Sequence, residues 1–179
     1  ATPASESLRK RLPWLGINLV TAFLAASVVA MFESTIEKVT ALAIFMPIVA
    51  GMGGNAATQT LTVVVRALAL GELSWASARK ALIKESIVGL GNGLVLGIVA
   101  AGVAWATKHD PMLGLLLGMA MLCNMFVAAT AGTLVPLGLR ALKVDPALAS
   151  SVFITTFTDV VGFASFLGLA TVFLRYLVK

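Results

Sequence analysis

The sequence predicts an all-α polytopic membrane protein with five transmembrane helices per subunit, and three observations predict it. Only 12% of the 179 residues are charged and 59% are hydrophobic, against roughly 25% charged in an ordinary soluble domain. Mean hydropathy is +1.00. Residues 12–32, 39–65, 86–107 and 111–139 hold no Asp, Glu, Lys or Arg, and 152–174 holds one, Asp159. Each stretch has the ~20 residues that a helix rising about 1.5 Å per residue needs to cross a ~30 Å hydrocarbon core.

The basic excess, a formal net charge of +5, is topological. With the N-terminus inside, the inner segments hold Arg9, Lys10, Arg11, Arg66, Arg79, Lys80, Lys84, Arg140 and Lys143, while the outer ones hold Lys38, Lys108, Arg175 and Lys179. That asymmetry is the positive-inside pattern, and an odd number of spans puts the C-terminus outside. Membrane lipid is the expected surrounding, and nucleic acid is excluded as a partner.

Taken in order, residues 1–11 form a polar cytoplasmic lead ahead of the first span, 12–32. Pro13-Trp14 suits a helix start with an interfacial aromatic. The run is too long for the ~7–15-residue apolar core of a signal peptide, so a retained span is expected. Glu33-Ser34-Thr35-Ile36-Glu37-Lys38 makes the first outer connection. It reads as a solvated turn, or as a pair of carboxylates, Glu33 and Glu37, gathering cations at an outer mouth.

The second span, 39–65, carries Pro47 and then Gly51-Met52-Gly53-Gly54-Asn55. Proline deletes a backbone hydrogen bond and clustered glycines ease bending, so a bent or unwound helix is expected here. Such a break is tolerated only against protein or a water-filled cavity. Asn55 and Gln59 are four apart and share a face. Residues 71–85, with Trp75, Arg79, Lys80 and Lys84, suggest an amphipathic helix on the inner surface; Glu85 is placed to pair with a cation at the membrane boundary.

The third span, 86–107, clusters glycines around Asn92, which reads as inter-helix glue. His109 sits in the turn Lys108-His109-Asp110-Pro111 and reads as a solvated loop residue. The fourth span, 111–139, contains Cys123, read as a small packing residue, and Asn124, expected to line a polar path. A single cysteine excludes an intrachain disulfide. Asp145-Pro146 reads as an N-cap with proline at N1, opening the fifth span at about 147–174.

In that last span Thr155 and Thr156 precede Asp159 by four and three residues, and Gly162 follows by three. One helix face therefore carries hydroxyls, a carboxylate and a glycine. A carboxylate near the bilayer midplane costs on the order of 3 kcal/mol and ordinarily has a partner. No Lys, Arg or His lies at membrane depth, so the partner comes from outside the chain. Oxygen ligands without His or Cys suit hard cations, and Mg²⁺ in particular is held by one or two carboxylates while keeping several waters. In a two-fold dimer two copies of Asp159 would repel unless a divalent cation lay between them, and two carboxylates balance one such ion.

Several motifs also resemble the MgtE magnesium-channel family. Pro47-Ile48-Val49-Ala50-Gly51-Met52-Gly53-Gly54-Asn55, with Gln59 and Arg66-Ala67-Leu68-Ala69, is similar to its signature second helix. Arg11-Leu12-Pro13-Trp14-Leu15, Phe32-Glu33-Ser34, Lys84-Glu85, Val144-Asp145-Pro146-Ala147 and Thr158-Asp159-Val160-Val161-Gly162 follow in the family's order. The resemblance implies a homodimer of five-helix subunits with a Mg²⁺ pore on the two-fold axis, lined by the second and fifth helices. It places Asp159 at the central ion site, with Gly51, Asn55 and backbone near Thr155 contributing. Gln59, Thr156, Gly54 and Asn124 are expected to line the pore. Members of the family usually carry cytoplasmic gating domains ahead of the membrane; here about ten residues precede the first span. The chain thus reads as an excised membrane domain or a minimal homologue, with any gating domains separate from it. A transporter coupled to Na⁺ or H⁺ and a non-transporting assembly subunit stay open as rival readings. An enzyme is not expected, because no nucleophile–base pair is present.

Overall fold

The computed structural model describes residues 4–73, 75–144 and 146–178, and all regular structure among them is helical. The order is α1 (Ala4–Ala30), α2 (Glu33–Lys38), α3 (Ala41–Ala69), α4 (Trp75–Lys108), α5 (Pro111–Ala141), α6 (Pro146–Val172) and α7 (Leu174–Leu177). Five of these helices, α1, α3, α4, α5 and α6, are long and apolar enough to cross a membrane.

The bundle is organised around α5, which packs on α4, α6 and α3. Its buried face, including Leu113, Leu116, Leu117 and Met121, meets Leu42, Phe45 and Val49 of α3 and Phe166 and Leu167 of α6 in one core. By contrast, α1 buries only Ala25 and packs chiefly on α6, leaving Leu15, Val20 and Phe23 exposed. In lipid such apolar exposure carries no penalty, because acyl chains are as apolar as leucine.

Two expectations are corrected. The helix of α3 runs unbroken from Ala41 to Ala69 through Pro47 and Gly51–Gly54. Pro47 falls in the second turn, where losing one bond, to the Ala43 carbonyl, leaves the ladder beyond it intact. The inner connection does not form a separate surface helix: α4 starts at Trp75 and continues for 34 residues. No proline interrupts that run, and Gly89, Gly93 and Gly97 pack against α5. The polar lead is helical and continuous with the first span from Ala4 onward, where Lys10 bonds Glu6 at 2.7 Å across one helical turn.

The turn at 109–110 ends α4 with His109 exposed and left-handed, φ 54°. Asp110 then caps α5, accepting from the N–H groups of Met112 (2.9 Å) and Leu113 (3.2 Å), with Pro111 at the first helical position. Such a cap contributes about 1 kcal/mol. The expected cap at Asp145 lies outside the described residues. Cys123 is exposed, not packed in the core.

Small residues set the spacing of α4 and α5. A methyl group on Gly97 would lie 2.8 Å from the Gly118 carbonyl oxygen, and one on Gly118 would lie 3.1 Å from the Gly97 carbonyl oxygen. Backbone cannot yield as a side chain can, so Gly97→Val is expected to lower stability by about 1–3 kcal/mol. Gly102, on the same helix with no heavy atom within 4 Å of such a methyl, is the control; Gly102→Ala should gain up to about 1 kcal/mol from helix propensity. Thermal unfolding in detergent, followed by size exclusion, checks both. A Gly97→Val chain as stable as wild type would show that the close α4–α5 approach is dispensable.

Candidate functional site

Asp159 sits midway along α6, partly buried. Among the described residues no hydrogen bond or ion pair reaches its carboxylate, and no group of three or more His, Cys, Asp or Glu could hold a metal within one chain. The hydroxyls around it are committed in a particular way. Thr155 Oγ1 donates to the Ser151 carbonyl (2.9 Å), Thr156 Oγ1 to Val152 (2.7 Å) and Thr158 Oγ1 to Thr155 (3.0 Å). A hydroxyl whose proton is spent on its own helix presents only acceptor lone pairs outward. Thr155 and Thr156 are partly exposed and present theirs beside Asp159, whereas Thr158 is fully buried.

On α3, Gly51, Asn55, Thr58, Gln59 and Thr62 are exposed, and Gly54 is partly so. Positions 51, 55, 58 and 62 follow the helical repeat along one face. Thr58 and Thr62 again donate to their own helix, at 2.8 Å each. The sequence reading missed both, although their spacing from Asn55 was available. A polar stripe exposed on a spanning helix does not belong against lipid; it belongs against protein or water.

One side chain joins the two polar helices. Asn124 of α5 is 1% exposed, and its Nδ2 donates to the Val49 carbonyl of α3 at 2.8 Å. Its amide fills slots opposite Gly53 and Gly162. A methyl on Gly162 would lie 2.7 Å from Asn124 Nδ2 and 3.2 Å from Val49 Cγ1, and one on Gly53 would collide with the same amide. Asn124 therefore lies inside the subunit, away from the exposed stripe where it was expected, because its donor is claimed by α3. Gly162 is one turn beyond Asp159, so this contact sets the carboxylate's turn of α6 beside the Val49–Gly53 turn of α3.

Glu33 and Glu37 are both exposed on α2, one turn apart. Buried Thr35 faces the other way and shares a 2.8 Å hydrogen bond with Thr171 of α6. The acidic pair is thereby fixed at the C-terminal end of the helix that carries Asp159. Asn92, expected to bind a neighbouring helix, is exposed and makes no inter-helix hydrogen bond among the described residues. Instead it lines a cavity between α3 and α4.

A family model described as a divalent cation transporter, MgtE, matches residues 46–169, the segment that contains α5 and nearly all of α3 and α6. The chain belongs to the MgtE family. It is 38% identical over 173 residues to a magnesium transporter MgtE of Enterococcus faecalis, 34% over 176 to that of Bacillus subtilis and 37% over 165 to that of Thermus thermophilus. These alignments cover 97%, 98% and 92% of this chain but 38%, 39% and 36% of the relatives. The chain spans under two-fifths of the length of these curated MgtE relatives. With its five apolar helices it is a multi-pass cell-membrane protein.

The Asn124 joint makes a specific expectation for coupling. Gly53→Ala and Asn124→Ala should each destabilise the fold, by about 1–3 kcal/mol. Made together they should cost less than their sum, since removing the amide vacates the space the new methyl needs. A double-mutant cycle on thermal stability is expected to give a coupling of about 0.5–3 kcal/mol. Strict additivity would show that the amide does not occupy the Gly53 slot.

Proposed function

We propose that this MgtE chain forms a magnesium-selective channel. Two copies pair about a two-fold axis, with α3 and α6 of each turned towards it. Partly hydrated Mg²⁺ then passes down its electrochemical gradient, and Asp159 of both subunits forms the central ion site. The observation that carries this reading is an unpaired carboxylate on a spanning helix, set beside an exposed stripe of amide, glycine and hydroxyl groups. One carboxylate per chain is too little for a divalent ion; two related by symmetry balance it. The relatives named as magnesium transporters support the choice of Mg²⁺ as the ion.

In this reading each group has a limited task. The Asp159 carboxylates neutralise the ion's charge through its remaining waters, as suits a cation that dehydrates reluctantly. Thr155, Thr156 and Asn55 accept from those waters, and Gly51 leaves room for the hydrated ion. Glu33 and Glu37 raise the local cation concentration at the outer mouth. With the N-terminus inside, a negative interior drives uptake by about 4.6 kcal/mol per 100 mV for a divalent ion, twice the single-charge value.

The test is Mg²⁺ flux into liposomes under an imposed membrane potential, with no Na⁺ or pH gradient. Wild type is expected to conduct, and Asp159→Ala and Asp159→Asn are expected to lose most or all flux while eluting as wild type does. Flux that requires a Na⁺ or pH gradient would replace the channel with a coupled transporter. Flux unchanged in Asp159→Asn would remove Asp159 from the ion site and leave it as inter-helix glue.

A further inference from the structure

The helices α3 and α4 barely touch, and α5 spans the cleft between them. Towards the α2 end this cleft is apolar: a cavity of about 230 Å³ is lined by Phe45, Ile48, Met52, Leu96, Val103 and Met121, among others of the same kind. Towards the connection between α3 and α4 its character changes. A cavity of about 180 Å³ there is lined by Glu85 and Asn92 of α4 and by Gln59 and Thr60 of α3, over Met125 and Ala129 of α5.

Glu85 is the anomaly. Its side chain is only 12% exposed, and its one ion pair among the described residues is a long 3.6 Å contact to Lys84 Nζ, whose side chain is 72% exposed. Adjacent residues on a helix do not share a face, and a pair so solvated on one side neutralises little. The carboxylate therefore turns into the cleft while its neighbour stays outside. Positions 85, 89 and 92 lie on one helical face, which puts Glu85 and Asn92 on the same wall of the cavity. Gln59 and Thr60 close it from α3.

We propose that this cleft is a second binding site for a hydrated divalent cation, separate from the site at Asp159. The donor set is one carboxylate, two amide carbonyls and a hydroxyl, with no His or Cys. That selects a hard ion, and one carboxylate with neutral oxygens is the way Mg²⁺ is commonly held while it keeps several waters. The space fits: the cavity's 180 Å³ is several times the ~30 Å³ share of one liquid water. An acyl chain belongs to the apolar half of the cleft instead, where no carboxylate would be desolvated. Gln59 lies on the edge of the exposed α3 stripe, so an ion in the cleft would wait beside the pore-facing surface. The inference deepens the reading of the chain as a Mg²⁺ pathway and rests on that reading for the ion's identity.

The experiment counts Mn²⁺, a paramagnetic stand-in for Mg²⁺, bound to the full chain in nanodiscs of neutral phosphatidylcholine. The signal of the free aqua ion in electron paramagnetic resonance reports what is unbound. In an Asp159→Ala chain one Mn²⁺ per chain is expected to remain. Adding Glu85→Gln should weaken that site by about tenfold or more, a loss of about 1.4 kcal/mol per tenfold. Adding Asn92→Leu in place of Glu85→Gln keeps the carboxylate but fills the cavity, and a comparable loss is expected. An Asp159→Ala chain that binds no Mn²⁺, or a double variant that binds as tightly as Asp159→Ala alone, overturns the proposal. Liposome flux separates the two readings. A wild-type chain that moves no Mg²⁺ while Asp159→Ala still binds Mn²⁺ defeats the channel alone; the reverse pattern defeats the cleft site alone.

Discussion

A primary amide sealed inside a helix bundle must find partners, since each unbonded polar group there costs of the order of a few kcal/mol. Asn124 meets half of that demand by donating to the Val49 carbonyl at 2.8 Å. It can do so only because Gly53 and Gly162 have no side chains where the amide lies. The three residues come from three helices, so the contact fixes the register of α3, α5 and α6 at one level. Everything that bears charge or hydrogen-bonding capacity towards the outside of the subunit follows from that register. It decides which turn of α3 lies beside Asp159 and which face of α3 is left free. The buried Oδ1 of Asn124 has no partner among the described residues, so the joint holds its register at some cost in stability.

The distribution of exposure then divides the molecule. α5 is buried along much of its length, and its residues carry the core. α1 and the outer side of α4 expose Leu, Ile, Val and Phe, which suits lipid. Among the described residues, α3 and part of α6 between them expose amide, hydroxyl and carboxylate groups at membrane depth. A single subunit leaves that polar surface open, and hydrocarbon cannot satisfy it. The proposed dimer resolves the conflict by turning the polar surfaces of two copies towards each other across a hydrated path.

The number, order and approximate limits of the long helices were legible in the sequence because about 20 successive residues without charge are what a bilayer demands and what a soluble domain seldom contains. Asp159 stood out in the sequence for the same energetic reason, as a charge within an apolar run. What the sequence hid was which face a residue takes. Asn124 and Asn55 look alike as amides within apolar runs, yet one is sealed among three helices and the other is exposed, and only packing decides between them. The glycines of α3 suggested a broken helix; in the fold Gly53 is a slot for Asn124, and the helix continues through all three. Thr58 and Thr62 passed unnoticed because threonine is an ordinary residue in a span until its exposure is known. Glu85 was read by its neighbours in sequence, whereas its surroundings come from α3, which is distant along the chain.

In the proposed channel the hydroxyl groups explain how a single carboxylate per chain could serve a divalent ion. Thr58, Thr62, Thr155 and Thr156 each donate to a carbonyl of their own helix at 2.7–2.9 Å. Their protons point away from the polar surface and their lone pairs point into it. A water ordered against such a surface must donate to it, and so turns its oxygen towards the space beyond. That is the orientation in which water coordinates a cation, and it is unfavourable for an anion. The polar face thus carries cation preference without further formal charge, which would raise the insertion cost of each helix by roughly 3 kcal/mol per group. In the proposed channel Asp159 supplies the charge where hydroxyl dipoles are insufficient, and neutral groups whose donors are already engaged supply the rest of the preference for a hydrated cation.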